Sequence, residues 1–272
     1  MYRCDLHLHT TKSDGLYTPK DLVYYLYSKG IKFLSITDHD SIEGIEEASE
    51  EAEKLGMTVI PGIELSAEYK NEEVHVLGYF IDIRSLELQR YLEKLREARR
   101  DRFIKIIEKL RDLGMEIRVD LSSFDKNQSI GRPHVAKEMV KQGYVSSVEE
   151  AFAKYLGDGG PAYVKKFKIS VPEAIDIIHS SGGVAVIAHP GLLNRMIEVI
   201  NVAIASGVDG IEVFHPKNPP YTESTLLEIA FKNNLLVTGG TDFHGTLDEQ
   251  DYFNDFKLEC EVEEKKINVR KK

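Results

Sequence analysis

Asp5-Leu6-His7-Leu8-His9-Thr10 stands near the start of the chain and carries two imidazoles two positions apart. Successive side chains of a β-strand point to opposite faces, so His7 and His9 share one face and Leu6 and Leu8 the other. Two adjacent imidazoles, with Asp14 a few residues on, pack poorly and suit a metal, since neutral imidazole is the commonest protein metal ligand. Histidines and acids then recur: Thr37-Asp38-His39-Asp40, Pro61-Gly62-Ile63-Glu64, His75, Ala188-His189-Pro190, His215 after Glu212-Val213-Phe214, and Thr241-Asp242-Phe243-His244. Nearly all fall where a predicted strand ends and its loop begins. In parallel α/β barrels those loops gather at one face, which holds the active site. A single histidine of this set is readily structural; structural histidines do not account for the repeated placement.

The chemistry follows from the donor types. The two cysteines, Cys4 and Cys260, lie near opposite ends and form no CxxC spacing, so they read as small buried hydrophobes. Ligands are therefore nitrogen and oxygen, compatible with Mn, Fe or Zn. Such an ion lowers the pKa of bound water to about 7, and two ions roughly 3.5–4 Å apart hold a bridging hydroxide and clamp attacking and leaving oxygens.

The elements that must position these residues alternate between strand and helix. Strands are predicted over 3–8, 32–37, 58–63, 74–80, 184–188, 210–214 and 235–239. Thr18 caps a helix that opens on Pro19 and stops at Gly30, and further helices are expected over 41–55, 171–181, 193–205 and 222–233. This alternation argues for an α/β fold with a parallel sheet, open or closed into a barrel, and helices outside it. The stretch 85–113 differs: it is long, charged and carries Leu88, Leu92, Leu95, Phe103, Ile106, Ile107 and Leu110 at helical spacing. With two shorter helices over 133–142 and 147–155 it forms a helical insertion, 86–162, between barrel segments 1–85 and 163–272. Residues 263–272 have mixed charge and are expected to fray.

Composition narrows the partners. A formal charge of −10 over 272 residues argues against long duplex nucleic acid, whose binding depends on Lys and Arg neutralising phosphates. It leaves room for a small phosphorylated substrate, since bound cations reverse the local charge. No run approaches the roughly 20 apolar residues of a membrane span. The N-terminus has no basic-then-apolar leader, so the expected compartment is the cytoplasm.

Taken in order, the motifs at Asp5–Thr10, Thr37–Asp40, Gly62–Glu64, His75, Ala188–Pro190 and Thr241–His244 resemble the PHP family, named for polymerase and histidinol phosphatase. The element Gly131-Arg132-Pro133-His134 resembles the stand-alone branch that includes nucleoside 3′,5′-bisphosphate phosphatases and 5′–3′ exonucleases on short RNA. The resemblance implies a distorted seven-stranded βα barrel, three divalent metal ions, and a metal-dependent phosphoesterase that hydrolyses phosphomonoesters or short nucleotides by a metal-bridged hydroxide. Carried over by position, one metal takes His7, His9, Glu64 and Asp242, a second Asp14, His39 and His244, and a third His75 and His189 with Glu64 bridging. The insertion is then a lid that sets substrate size.

Arg132 offers a fixed fork of donors for phosphate. His134 and His215 are the candidates to bind substrate and protonate the leaving oxygen, with His215 preferred. Asp5 shares the face of His7 and His9, either to orient an imidazole or to make a structural hydrogen bond. Asp38 and Asp40 have turn-forming or metal-supporting roles, His179 reads as a helix-face histidine, and Lys165 and Lys166 as a solvated pair. The alternatives are a histidinol-phosphate phosphatase, an amidohydrolase-type C–N or C–O hydrolase, and a non-catalytic metal-binding module.

Overall fold

The computed structural model describes residues 2–119, 131–249, 251–263 and 265–271. The chain divides into two compact units, Met1–Arg90 with Lys168–Lys272, and Tyr91–Phe167. Part of the insertion read from the sequence, 120–130, lies outside the described residues.

The first unit begins with β1 (Tyr2–Leu8), α1 (Pro19–Ser28), β2 (Phe33–Ile36), α2 (Ile45–Lys54), β3 (Thr58–Tyr69) and β4 (Glu72–Tyr79). A long helix, α3 (Leu86–Asp112), runs on into the second unit, which adds α4 (Arg132–Lys141) and α5 (Val148–Ala151), the latter passing into a wider π turn, Phe152–Leu156. The chain then forms β5 (Ile169–Ser170), α6 (Val171–Ser180), β6 (Val184–Ile187), α7 (Met196–Ala205), β7 (Gly210–Phe214), α8 (Thr222–Lys232), β8 (Leu236–Gly239), α9 (Tyr252–Asp255), β9 (Leu258–Glu263) and β10 (Lys266–Lys271).

The strands make one sheet in the order β10-β9-β1-β2-β3-β4-β6-β7-β8, with β5 beside β3. The sheet nearly closes on itself. Leu8 bridges Phe243, and the His9 N–H donates to the Phe243 carbonyl at 3.0 Å, so the chain beyond β8 returns to the end of β1. Gly240 permits that approach, because a Cβ there would lie 2.3 Å from the His7 Cβ. The result is a mixed α/β fold with a barrel-like sheet.

Local chemistry explains most boundaries. Thr18 accepts from the Asp21 N–H and Pro19 opens α1, while Gly30, at φ +76°, lets the chain leave it. Ser170 and Glu173 form a reciprocal capping box on α6. Leu22, Val23 and Leu26 of α1 and Ala48 and Ala52 of α2 pack on Leu8, Leu34 and Ile36 of the sheet. The second unit has its own core, including Phe103, Ile106 and Leu110 of α3 and Val135, Ala136 and Met139 of α4.

Two expectations are corrected. The sheet is not parallel throughout: β4 runs antiparallel to both β3 and β6. The cause is a tight hairpin in which Lys70 and Asn71 both have positive φ, 47° and 68°, between the paired Tyr69 and Glu72. Two left-handed residues give a turn whose twist matches that of the strands it joins. The C-terminal stretch does not fray over its described residues, where β10 pairs along β9 with Ile267 and Val269 buried between exposed neighbours.

Candidate metal centre

The barrel-like sheet brings nine predicted ligands together from six segments. His7 ends β1 together with the residues just beyond it, His9 and, further on, Asp14; His39 follows β2, His189 follows β6, and Asp242 and His244 follow β8. Glu64 departs from the strand-end expectation, whereas His75 lies on its strand as expected. They lie within β3 and β4, paired with Leu77 and Ser66, because the hairpin extends well past the barrel rim.

Three groups of donor atoms converge. His7 Nε2 lies 3.2 Å from Glu64 Oε2 and 3.4 Å from Asp242 Oδ1; His9 Nε2 lies 3.2 and 3.0 Å from the same oxygens. Around Asp14, His244 Nε2 stands at 3.4 Å, His9 Nδ1 at 3.7 Å and His39 Nε2 at 3.8 Å. Glu64 Oε1 faces His75 Nδ1 at 3.0 Å and His189 Nε2 at 3.2 Å, and those two nitrogens are 3.3 Å apart. Geometry thus gathers the three expected sets, with two overlaps. His9 also borders the Asp14 group, and His39 faces Glu64 at 3.1 Å through Nδ1 while its Nε2 faces Asp14.

Donor chemistry fits cations. Buried His7 Nε2, both ring nitrogens of His9, His39 Nδ1 and Glu64 Oε2 form no hydrogen bond, although opposing donor atoms stand close by. Leaving so many buried polar atoms without hydrogen bonds costs heavily unless something else satisfies them. Imidazole and carboxylate donors without thiolate suit divalent Mn, Fe or Zn.

Electrostatics points the same way. Burial works against a charged imidazole at His7, but Glu212, Glu64 and Asp242 outweigh it and hold the pKa well above its usual value. At His9, burial is overcome by Asp242 and Glu64, which lift it to about 9. At His75, burial is overcome by Glu64 and Glu73, which lift it to about 10. His39 falls to about 4, chiefly through burial. Burial also opposes ionisation of Glu64, Asp14 and Asp242, yet the surrounding imidazoles hold all three below the usual carboxylate range. The cluster thus favours ionised carboxylates beside raised imidazoles.

Supporting contacts fix the ligands. His244 Nδ1 donates to the Asp242 carbonyl at 2.8 Å, which leaves Nε2 facing Asp14, and buried Glu249 accepts from the His244 N–H at 2.8 Å. His75 Nε2 lies 3.5 Å from Glu73, which also pairs with Lys168 at 3.0 Å. Asp5 is resolved as a structural tie: it accepts from the Thr241 hydroxyl at 2.6 Å, the Thr241 N–H at 3.0 Å and the His7 N–H at 3.2 Å. Asp38 accepts from Thr10 and Ser13, and Asp40, at φ 50°, accepts from the Ser66 N–H. His179 pairs with Asp209 at 2.8 Å, as befits a structural histidine.

The remaining predicted residues fall in two places. His215 is buried beside the cluster, with Nε2 3.5 Å from Asp242 Oδ2 and Nδ1 accepting from the Lys217 N–H at 3.2 Å. Arg132 and His134 belong to the helical unit. There the Arg132 guanidinium bonds the Leu156 carbonyl and Asp158, each at 3.1 Å, between the rings of Phe152 and Tyr163, and His134 Nδ1 accepts from the Gly131 N–H. Sequence reasoning missed Glu212, a wholly buried carboxylate that touches His7 and His189. Its signal was an acid inside the apolar strand Gly210-Ile211-Glu212-Val213-Phe214.

Fold and donor set together place three groups of candidate metal ligands in an α/β barrel-like sheet. A profile of the PHP domain matches residues 5–181. A 5′–3′ exoribonuclease of Haemophilus influenzae is 33% identical, covering 88% of this chain and 89% of its own length. A 3′,5′-nucleoside bisphosphate phosphatase of Chromobacterium violaceum is 32% identical, covering 90% and 88%. Among solved structures, a candidate metal-dependent phosphoesterase from Bifidobacterium adolescentis superposes with a TM-score of 0.73 at 33% identity, over 89% of this chain and 87% of that one. A Chromobacterium violaceum protein described as an amidohydrolase, solved with sulfate bound, gives 0.72 at 29% identity, over 90% and 89%. The chain belongs to the PHP family.

Proposed function

We propose that the protein is a metal-dependent phosphoester hydrolase whose substrates are phosphomonoesters or short nucleotides. The observation that carries this reading is Glu64: one buried carboxylate turns Oε2 to His7, His9 and His39 and Oε1 to His75 and His189, as a residue shared between neighbouring cations would. Three ions are proposed, held by His7, His9, Glu64 and Asp242, by Asp14, His39 and His244, and by His75 and His189 with Glu64. Bound divalent ions supply Lewis acidity and bring the pKa of water to about 7.

The chain's own residues then hold charge and move protons. His215 accepts at Nδ1, so its proton resides on Nε2, the nitrogen that faces Asp242. From there it is the proposed donor to the leaving oxygen. Arg132 and His134 are proposed substrate-binding residues, a role that rests on the Gly131–His134 element. The seven strands β1, β2, β3, β4, β6, β7 and β8 are read as the family's distorted barrel, and the helical unit as its insertion. Among the described residues no helix is long and apolar enough to cross a membrane. Free, buried Cys4 and Cys260 suit the cytoplasmic setting we propose.

The relatives named as an exoribonuclease and a nucleoside bisphosphate phosphatase favour phosphate. The amidohydrolase description of the Chromobacterium structure keeps C–N hydrolysis as the second reading. A screen of metal-replete protein separates them: nucleoside 3′,5′-bisphosphates, short RNA, p-nitrophenyl phosphate and histidinol phosphate against amides and lactones. Hydrolysis of any of the first group, read as inorganic phosphate from the monoesters or as released mononucleotide from RNA, supports the proposal. Turnover confined to amides or lactones overturns it.

A further inference from the structure

We infer that Glu212 is a positioning residue that sets two metal-ligating histidines at once, His7 and His189. The inference rests on the metal-centre reading above and goes beyond it, because Glu212 is not one of the proposed ligands.

Glu212 lies on β7 and is fully buried. Its carboxylate meets His7 Nδ1 at 3.0 and 3.2 Å, and its Oε2 accepts from the His189 backbone N–H at 2.7 Å. A carboxylate in its ionised form only accepts, so His7 must carry its proton on Nδ1. Once a cation displaces the Nε2 proton, the lone pair on that nitrogen serves the group formed with His9, Glu64 and Asp242. The pattern is that of ligating histidines elsewhere, whose second ring nitrogen donates to a carboxylate that fixes tautomer and orientation.

The second contact acts on backbone. His189 sits at φ 28°, ψ 50°, a left-handed conformation that a non-glycine residue adopts at a cost. The bond to Glu212 ties down its N–H and so holds the peptide that aims its ring at His75 and Glu64 Oε1. The His7 and His189 rings stack 5.6 Å apart at an interplanar angle of 19°. Glu64 links the His7 and His189 groups from one side, and Glu212 links them from behind.

Glu212→Gln tests this. Glutamine keeps the size of the residue but has one accepting oxygen, so it satisfies one donor and turns an NH2 group to the other. Zinc titration against a competing chelator should show wild type binding more than one ion, and the variant should lose affinity about 10–100-fold for the ions that depend on His7 and His189. The ion held by Asp14, His39 and His244 should keep its affinity. Nitrogen-15 NMR of the zinc-loaded wild type should show His7 protonated at Nδ1; this measurement decides the matter even if the variant does not fold. A variant with wild-type zinc affinity, or a wild-type His7 protonated at Nε2, overturns the inference. A wild type that binds no zinc removes the metal-centre reading itself.

Discussion

The helical unit Tyr91–Phe167 and the barrel unit fill their interiors differently. In the helical unit the interior is apolar: Phe103, Ile106, Leu110, Val135, Ala136 and Met139 are buried together. Among the described residues most of its charge lies at the surface, in pairs such as Lys154–Glu150 and Lys141–Glu138, with Arg102 and Arg132 part-buried. Exposed pairs of this kind contribute little to stability. The barrel unit has an apolar core as well, between the sheet and α1 and α2. Beside it, His7, His9, Glu64, Glu212 and His215 are buried with almost no solvent contact. One core is built from apolar side chains; beside the other lies buried charge, which is costly unless it is paired. Perturbations that separate the two units test this contrast.

The largest effect is expected at the shared carboxylate and its neighbour. Glu64→Ala or Asp242→Ala removes an oxygen that faces both His7 and His9. Hydrolysis should fall about a thousandfold or more, since a lost ion removes several kcal/mol of charge stabilisation. Metal content, read by elemental analysis, should fall in parallel. Wild-type turnover in a metal-replete variant would defeat the metal-centre reading. The helical unit should keep its native amide protection in the same variants.

The converse substitution is Leu110→Ala in the helical unit, where the side chain is fully buried. Deleting it should cost about 2–4 kcal/mol. Hydrogen exchange should report the loss in residues 91–167 and leave the metal content of the barrel unit unchanged. A fall in bound metal would show that the two interiors do not separate as argued.

Protons provide a third handle on the contrast. In the metal-free barrel unit, against the opposing effect of burial, His9 is raised to about 9 by Asp242 and Glu64, and His75 to about 10 by Glu64 and Glu73. A raised imidazole is protonated below its folded pKa, so at pH 8 both hold protons that a cation must displace. Metal binding should therefore release protons, and affinity should rise with pH up to about 9–10. Calorimetry in two buffers of different ionisation enthalpy measures the number released. A pH-independent affinity between 7 and 9 would contradict this account.

Legibility in the sequence followed the same division. His7, His9, His39, His189, Asp242 and His244 were readable because each sits where a strand gives way to its loop, and strand-end placement leaves a local mark. Glu64 was readable as a donor but not as a mid-strand residue, because the reach of the hairpin depends on Lys70 and Asn71 adopting positive φ. That conformation also turned β4 antiparallel. Glu212 was hidden inside an apolar strand, where its meaning depends on His7 and His189, distant in sequence. The alternation of Ile267 and Val269 was present in the C-terminal stretch, but the charges on either side of them read as a solvated tail. Their value as a strand appears only when β9 supplies an edge to pair with.

The smallest effect is expected where neither interior is touched directly. Thr18 caps α1, accepting from the Asp21 N–H at 3.1 Å and donating to Asp21 Oδ2 at 2.7 Å. Thr18→Ala should cost about 1 kcal/mol of stability in the barrel unit. Leu22, Val23 and Leu26 on that helix pack in the same core as Leu8 and Phe243. Leu8 separates His7 from His9 along the chain, and Phe243 separates Asp242 from His244, so this core backs the strand ends that present four donors. If the charged interior takes its geometry from its own contacts, such as Asp5 to Thr241 and Glu249 to His244, loosening α1 should lower the melting temperature while zinc affinity stays at the wild-type value. A drop in zinc affinity in step with the melting temperature would instead make the apolar core the element that sets the donor geometry.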